Sequence, residues 1–412
     1  GGGTGRLSKT SSGTLILSDS NTYTGGTTIQ DGTLTARHAQ ALDQGKVTVA
    51  NGATLNIDGV TLALANGLDL SGTGVGDAGA LTGTGTAAYT GGITLVADSR
   101  VGAATTSDQL TLSGIIAGAT RKLEKTGVGK VTLTATNTYT GGTTIQQGTL
   151  SAQNAQALNQ GKVIVANGAT LNIDGVTLAL ANGLDLSGDG AGGVGALTGT
   201  GTAAYTGGVT LVANSRIGTA TANDQLTLSG AITGAGLYKV GTGRLALSNA
   251  NSYTGGTLIQ EGTLSAQNAK ALNQGKVTVA NGATLNIDGV TLALANGLDL
   301  SGTGVGDAGA LTGTGTAAYT GGITLVADSR VGTATANDQL TLSGAITGAG
   351  LYKVGTGRLA LSNANSYTGG TLIQEGTLSA QNAKALNQGK VIVANGATLN
   401  IDGVTLALAN GL

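Results

Sequence analysis

The 412-residue chain has no cysteine, proline, methionine, tryptophan or phenylalanine, and only one histidine. Absence of cysteine removes disulfides, thiolate metal sites and cysteine nucleophiles together. The lone His38 excludes a multi-histidine metal centre, and no nucleophile motif stands beside it, so it reads as a surface loop side chain. Tyrosine is the only aromatic, with nine copies, so the core has to be built from Leu, Val, Ile and Ala. Such side chains stack on like neighbours but fill only a narrow interior. Missing proline and the lack of a three-residue period exclude a collagen helix, although glycine supplies 75 residues. Charge is scarce at 10%, and the 20 basic against 21 acidic side chains leave no basic field for nucleic acid. The 40% hydrophobic share opposes disorder. No apolar run approaches the roughly 18 residues of a membrane span, since Val60 to Leu70 is interrupted by Thr61, Asn66 and Asp69. The start, Gly1-Gly2-Gly3-Thr4, has neither an initiator Met nor a signal-peptide pattern, and Leu412 falls in mid-repeat. We therefore expect a fragment attached to further domains in a longer protein.

What the chain does contain is repetition. Tyr-Thr-Gly-Gly recurs at Tyr23, Tyr89, Tyr139, Tyr205, Tyr253, Tyr319 and Tyr367, so the gaps run 66, 50, 66, 48, 66 and 48 residues. A unit of 114 to 116 residues is present about three and a half times, with repeats near 13–126, 129–240 and 243–354 and a partial one at 357–412. Thr242 to Leu298 and Thr356 to Leu412 differ only where Thr278 becomes Ile392. Copying this faithful points to a stack in which each unit leans on the next, and residues 1–412 read as one continuous solenoid.

Within a unit, short two-residue alternations are separated by glycine. Arg244 to Ser248, Thr257 to Gln260, Thr263 to Ala266, Lys276 to Val279 and Thr284 to Ile287 read as strands of four or five residues. Asn281-Gly282 and Asp288-Gly289 are also strong hairpin signals. A meander of hairpins would expose broad edges, whereas coils that wind onward pair each strand with the ones above and below. We therefore read these turns as corners between parallel faces. The fold class is all-β, a parallel β-solenoid in a single elongated rod. At roughly 20 to 25 residues per coil, a unit holds about five coils, and the rod would be on the order of 85 Å long. One segment, Ser265 to Asn273, is open between a short helix and a loop. Gly72 to Gly79 and its counterparts form a glycine-rich bend flanked by Leu70 and Leu81.

Gly127-Val128-Gly129-Lys130-Val131-Thr132-Leu133-Thr134, then Asn137-Thr138-Tyr139-Thr140-Gly141-Gly142-Thr143-Thr144-Ile145 and Gly148-Thr149-Leu150, resembles the passenger-associated repeat of bacterial autotransporters. The pattern returns at Gly241 to Leu264 and Gly355 to Leu378, departs at Thr10 to Gly13 in the first copy, and keeps only its centre at Tyr89, Tyr205 and Tyr319. The resemblance implies a right-handed parallel β-helix in a secreted or outer-surface bacterial protein. Its motif residues are structural: Tyr23, Gly25, Gly26, Tyr139, Gly141, Gly142, Tyr253, Gly255, Gly256, Tyr367, Gly369 and Gly370.

Candidate chemistry is sparse. Asp58, Asp174, Asp288 and Asp402 precede Gly and read as turn formers, while Asp69, Asp185 and Asp299 stand beside Leu. Asp98 and Asp328 precede Ser-Arg, but Asn214 takes that place in the middle copy, which argues against an essential acid. Asp77 and Asp307 in the glycine-rich bends faintly resemble calcium-binding turns, yet Gly193 replaces them in the middle copy. Lys46, Lys162, Lys276 and Lys390 recur once per unit, too far apart to steer a polyanion. Arg121-Lys122-Leu123-Glu124-Lys125 is denser and reads as a solvated turn. No catalytic residue, cofactor or metal site is assigned. The expected function is a non-enzymatic stalk or adhesin segment, extracellular or on the bacterial outer surface, with itself or a surface glycan as partner. A biofilm-forming filament and a polysaccharide-binding or polysaccharide-cleaving β-helix are the competing classes.

Overall fold

A computed structural model describes residues 3–42, 45–159, 161–272, 275–386, 389–406, 408, 411 and 412. The chain divides into two compact units, residues 1–210 and 211–412. Each is a parallel β-solenoid built from short strands, and among the described residues the only helical pieces are three-residue 3-10 turns at Val75–Asp77, Ala191–Gly193 and Val305–Asp307. No described helix is long and apolar enough to cross a membrane.

In the second unit one ladder carries Leu237 to Thr257, Val277 and Leu298, and Gly302 at the end of that strand pairs with Ser329, which pairs with Leu351. Five steps thus span one 114-residue repeat, as the coil-length reasoning expects. Offsets between partners range from 19 residues (Arg358 to Thr377) to 27 (Leu292 to Tyr319), slightly wider than the expected 20 to 25. Every such pairing is parallel, so Asn281-Gly282 and Asp288-Gly289 turn corners and do not close hairpins. Parallel pairing wins because strands coming round every coil bury both neighbours' backbone groups, which a two-residue hairpin leaves at an edge.

The core is a set of aliphatic rows. Leu226, Leu245, Leu264, Leu285, Leu311 and Val331 are successive ladder partners, each fully buried. In the first unit, Leu62, Tyr89, Leu112, Leu133, Ala152 and Ile173 form a second row two residues further along the equivalent strands. Each fully buried Leu contributes about 2 kcal/mol by leaving water, and the stacking repeats that gain at every coil. The segment left open between helix and loop is a turn: Asn268 Oδ1 accepts the Lys270 N–H, and Ala271 and Leu272 are buried. Asn273 lies outside the described residues.

Candidate functional site

Among the twelve motif residues the glycines pack one coil on the next and the tyrosines fill the interior and close their own turn. Tyr139, Tyr253 and Tyr367 are fully buried, and their hydroxyls lie 2.6–2.7 Å from the Thr143, Thr257 and Thr371 hydroxyls; Tyr23 makes the same contact with Thr27 at 2.6 Å. Burial pushes the Tyr367 hydroxyl up to about 12 and raises that of Tyr139 too. The two glycines face opposite neighbours. A Cβ on Gly255 would sit 2.5 Å from the Gly236 nitrogen in the preceding coil, and one on Gly256 would sit 2.7 Å from the Lys276 carbonyl oxygen in the following coil. Gly256 also has φ of +80°, a region costly for residues with a side chain. Gly25 and Gly26, Gly141 and Gly142, and Gly369 and Gly370 repeat these approaches.

The same tetrapeptide at Tyr89, Tyr205 and Tyr319 has a different role. These rings are also buried, but their hydroxyls donate to the carbonyls of Gly92, Gly208 and Gly322 within their own turn at 3.2–3.3 Å. A Cβ on Gly92 or Gly322 would meet nothing closer than 3.8 Å. Here the first glycine still packs on the preceding coil, since a Cβ on Gly91 or Gly321 would sit 2.7 or 2.5 Å from the Leu64 or Leu294 carbonyl oxygen, while the second glycine has room.

The asparagine two residues before each clasp tyrosine completes it. Asn251 Oδ1 accepts the Ile232 N–H at 2.8 Å, and its Nδ2 donates to the Ala271 carbonyl at 2.6 Å, so one side chain joins the coil before to the coil after. Asn137 and Asn365 make the same two bonds. Replacing Asn251 with Ala strands a buried donor and a buried acceptor and should cost about 2 to 3 kcal/mol. Amide hydrogen exchange at Ile232 should accelerate by about two orders of magnitude; unchanged protection there would contradict the clasp.

Lys125 corrects the reading of Arg121 to Lys125 as a solvated turn. Leu123–Thr126 is a strand, and Lys125 is fully buried beside Leu123 on its inward side. Its Nζ donates to the carbonyls of Thr126, Gly127 and Gln147 at 2.9, 2.6 and 2.9 Å. Lys239 is held likewise by Val240, Gly241 and Glu261, and Lys353 by Val354, Gly355 and Glu375. Lys9 donates to Ser11 and Asp31 carbonyls. Burial pulls Lys125 down to about 7 and Lys239 and Lys353 to about 8. Each ammonium caps carbonyls at a corner where the ladder supplies no N–H.

The acids are engaged by residues one or two coils away. Asp58 pairs with Arg37 at 2.6 Å, Asp174 accepts from Gln153 at 2.7 Å, Asp288 pairs with Arg244 at 3.2 Å, and Asp402 pairs with Arg358 at 3.1 Å. Asp69, Asp185 and Asp299 pair with Lys46, Lys162 and Lys276 at 2.7 Å, which accounts for the once-per-unit lysines. Asp98 accepts the Lys122 N–H and Asp328 the Gly350 N–H; Asn214 accepts the Gly236 N–H in the same way, so an amide oxygen serves where a carboxylate stood. His38 Nδ1 accepts the Gln40 N–H, the bond that Asn154 and Asn268 make in later copies. Among the described residues, no group of three or more His, Cys, Asp or Glu side chains comes together.

A stacked parallel β-solenoid whose coils are clasped by a recurring Asn-x-Tyr-Thr-Gly-Gly step defines a class of repeat protein, and the comparisons place the step within it. The passenger-associated-transport-repeat family model matches residues 7–36, 123–152, 237–266 and 351–380, each time covering a buried lysine and the clasp that follows it. The chain therefore carries four copies of the autotransporter passenger repeat and is an extracellular or outer-surface passenger segment. It is similar to the adhesin BmaC autotransporter of Brucella suis biovar 1 (strain 1330), 38% identical over 160 residues. That match covers 38% of this chain and 4% of the relative. No solved structure matches the chain significantly.

Proposed function

We propose that this passenger segment is a non-catalytic spacer with weakly adhesive faces, projecting further domains from a cell and contacting a surface glycan or a second copy of itself. The observation that carries this reading is that the residues recurring from unit to unit hold coils together, so added units extend the stack without adding new chemistry. Similarity to an adhesin supports the adhesive part. The non-catalytic part is supported by the engagement of the recurring acids in pairs with Arg, Lys or Gln, which leaves them occupied with neighbours. A polysaccharide-cleaving β-helix would instead need an acid and a base carboxyl roughly 6.5 to 9.5 Å apart for inversion.

The test is adherence of beads coated with purified segment at graded density. Capture by cells should rise more steeply than in proportion to density, because weak repeated contacts add through multivalency. The same protein should turn over no member of a polysaccharide panel. Glycan cleavage abolished by substituting one acidic pair would promote the enzyme reading, and sedimentation across a wide concentration range reads self-association directly.

A further inference from the structure

We infer that the groove under the glycine-rich bend is a binding subsite for neutral oligosaccharide, present in both compact units. This rests on the adhesive reading above and gives its glycan contact a location. In the first unit the groove is about 670 Å³ and is bordered by Asp77, Arg100, Gln146 and Gln147. In the second it is about 560 Å³ and is bordered by the equivalent Asp307, Arg330, Gln374 and Glu375. Both volumes fall within the about 300 to 1,000 Å³ typical of ligand pockets.

The bend forms a fixed overhang. Thr54 Oγ1 donates to the Gly79 carbonyl and accepts the Val75 N–H, both at 2.9 Å, and Thr284 does the same for Gly309 and Val305. The groove is thus formed before any ligand arrives, which lowers the ordering cost of binding. At its lip Asp77 lies 3.3 Å from Arg100, and Asp307 lies 3.0 Å from Arg330. These carboxylates are 72% and 69% exposed, so they remain open to a ligand while the arginine orients them.

Asp77 and Asp307 also hold φ of +62° and +64°, where L-residues are disfavoured, while Gly193 occupies the matching position in the middle copy at +77°. Two units therefore keep a strained aspartate where glycine suffices for the bend, and the difference between the copies is a carboxylate at the lip.

A carboxylate accepts from one hydroxyl while the guanidinium beside it donates to the next, which suits the vicinal hydroxyls of a sugar ring. The exposed glutamines extend that pattern, and Val75 in one groove and Leu372 in the other offer apolar surface to the ring's C–H face. In the first groove Arg100 also pairs with Glu124 at 2.6 Å, and Glu375 borders the second, so carboxylates outnumber the guanidinium at both and an acidic sugar is disfavoured.

The experiment uses the whole chain and a panel of neutral gluco-, galacto- and N-acetylgluco-oligosaccharides, with uronic and sialic acid oligomers alongside, read by calorimetry and ligand-observed NMR. Asp77→Gly and Asp307→Gly adopt the middle copy's own residue, so both should fold with an unchanged or higher melting temperature. Each single variant should remove one class of site, and the double variant should weaken binding of the neutral oligosaccharide at least tenfold. Undiminished binding by the folded double variant, no binding by the parent, or a preference for the acidic oligomers would each overturn the inference. Bead adherence that persists in the double variant, alongside oligosaccharide binding that never occurs, would sink the subsite while leaving the adhesive reading intact.

Discussion

Leu285→Asp should unfold its coil and loosen the two beside it. Leu285 is fully buried, with Leu264 and Leu311 as its ladder partners, so a carboxylate there meets aliphatic side chains above and below. Losing the leucine alone costs about 2 to 5 kcal/mol. Burying an unpaired carboxylate adds several kcal/mol more, even when the group protonates to escape. A globular domain can spread such damage over many contacts, whereas a coil in a solenoid has only its two neighbours. Limited proteolysis should therefore produce new cleavage in the turns around Ala280 to Gly289, with far-ultraviolet dichroism keeping most of its sheet signal. Leu285→Met, which nearly conserves volume, should cost less than about 1.5 kcal/mol and leave the digest unchanged. A Leu285→Asp digest identical to the parent's would remove this position from the core.

The rows themselves were legible because strand alternation and the 114-residue repeat report on the same geometry. Thr284-Leu285-Asn286-Ile287 alternates inward and outward, and the structure buries Leu285 and Ile287 while leaving Asn286 half-exposed. Glycine turns gave the corners, and their spacing gave the coil. Less legible was anything that depends on what lies one coil away, since a partner some 20 residues distant has no local signature. The pairing of Lys276 with Asp299 is of that kind, as is the reach of Asn251 to Ile232 and Ala271. The two roles of Tyr-Thr-Gly-Gly could not be separated by the tetrapeptide, although the surrounding residues carried the signal: Asn137, Asn251 and Asn365 precede the clasping copies, and Leu178, Leu292 and their neighbours pair with the others.

Lys125 was misread for a different reason. In Leu123-Glu124-Lys125-Thr126 the period of two puts Lys125 on the same side as Leu123, and its ladder neighbours are Val101 and Ile145. The pattern placed it inside; the general rarity of buried lysine argued for solvent. Carbonyl groups at the corner resolve the conflict, because a buried ammonium with three acceptors is a satisfied donor set. In the second unit, Tyr238 and Tyr352 replace Glu124 on the outward side of the same strand, while Lys239 and Lys353 keep the inward place. Change on one face with constancy on the other is the imprint of that burial.

Lys239→Met should destabilise the second unit by about 3 to 4 kcal/mol, because a side chain of similar length fills the space but leaves the carbonyls of Val240, Gly241 and Glu261 without their donor. The pH dependence distinguishes this from a packing defect. Burial lowers Lys239 and Lys353 to about 8 and Lys125 to about 7, against an ordinary lysine value near 10.5. Between the lowered values and 10.5, the unfolded chain holds protons that the folded chain has released, so stability rises with pH across that window. Below about 7 both states are protonated and the folded state bears the full cost of the buried charges. The tyrosines act at the other end. Their raised values mean that above about pH 10 the unfolded chain ionises first and stability falls. The urea midpoint of the parent should therefore climb from pH 7 to a maximum near pH 10 and then drop. Lys239→Met should show a lower midpoint throughout and a shallower climb, with the alkaline drop preserved. A parent profile flat from pH 7 to 10 would mean that the three carbonyls hold each ammonium charged against its burial, and a Met variant as stable as the parent would show that the corner carbonyls do not need the lysine.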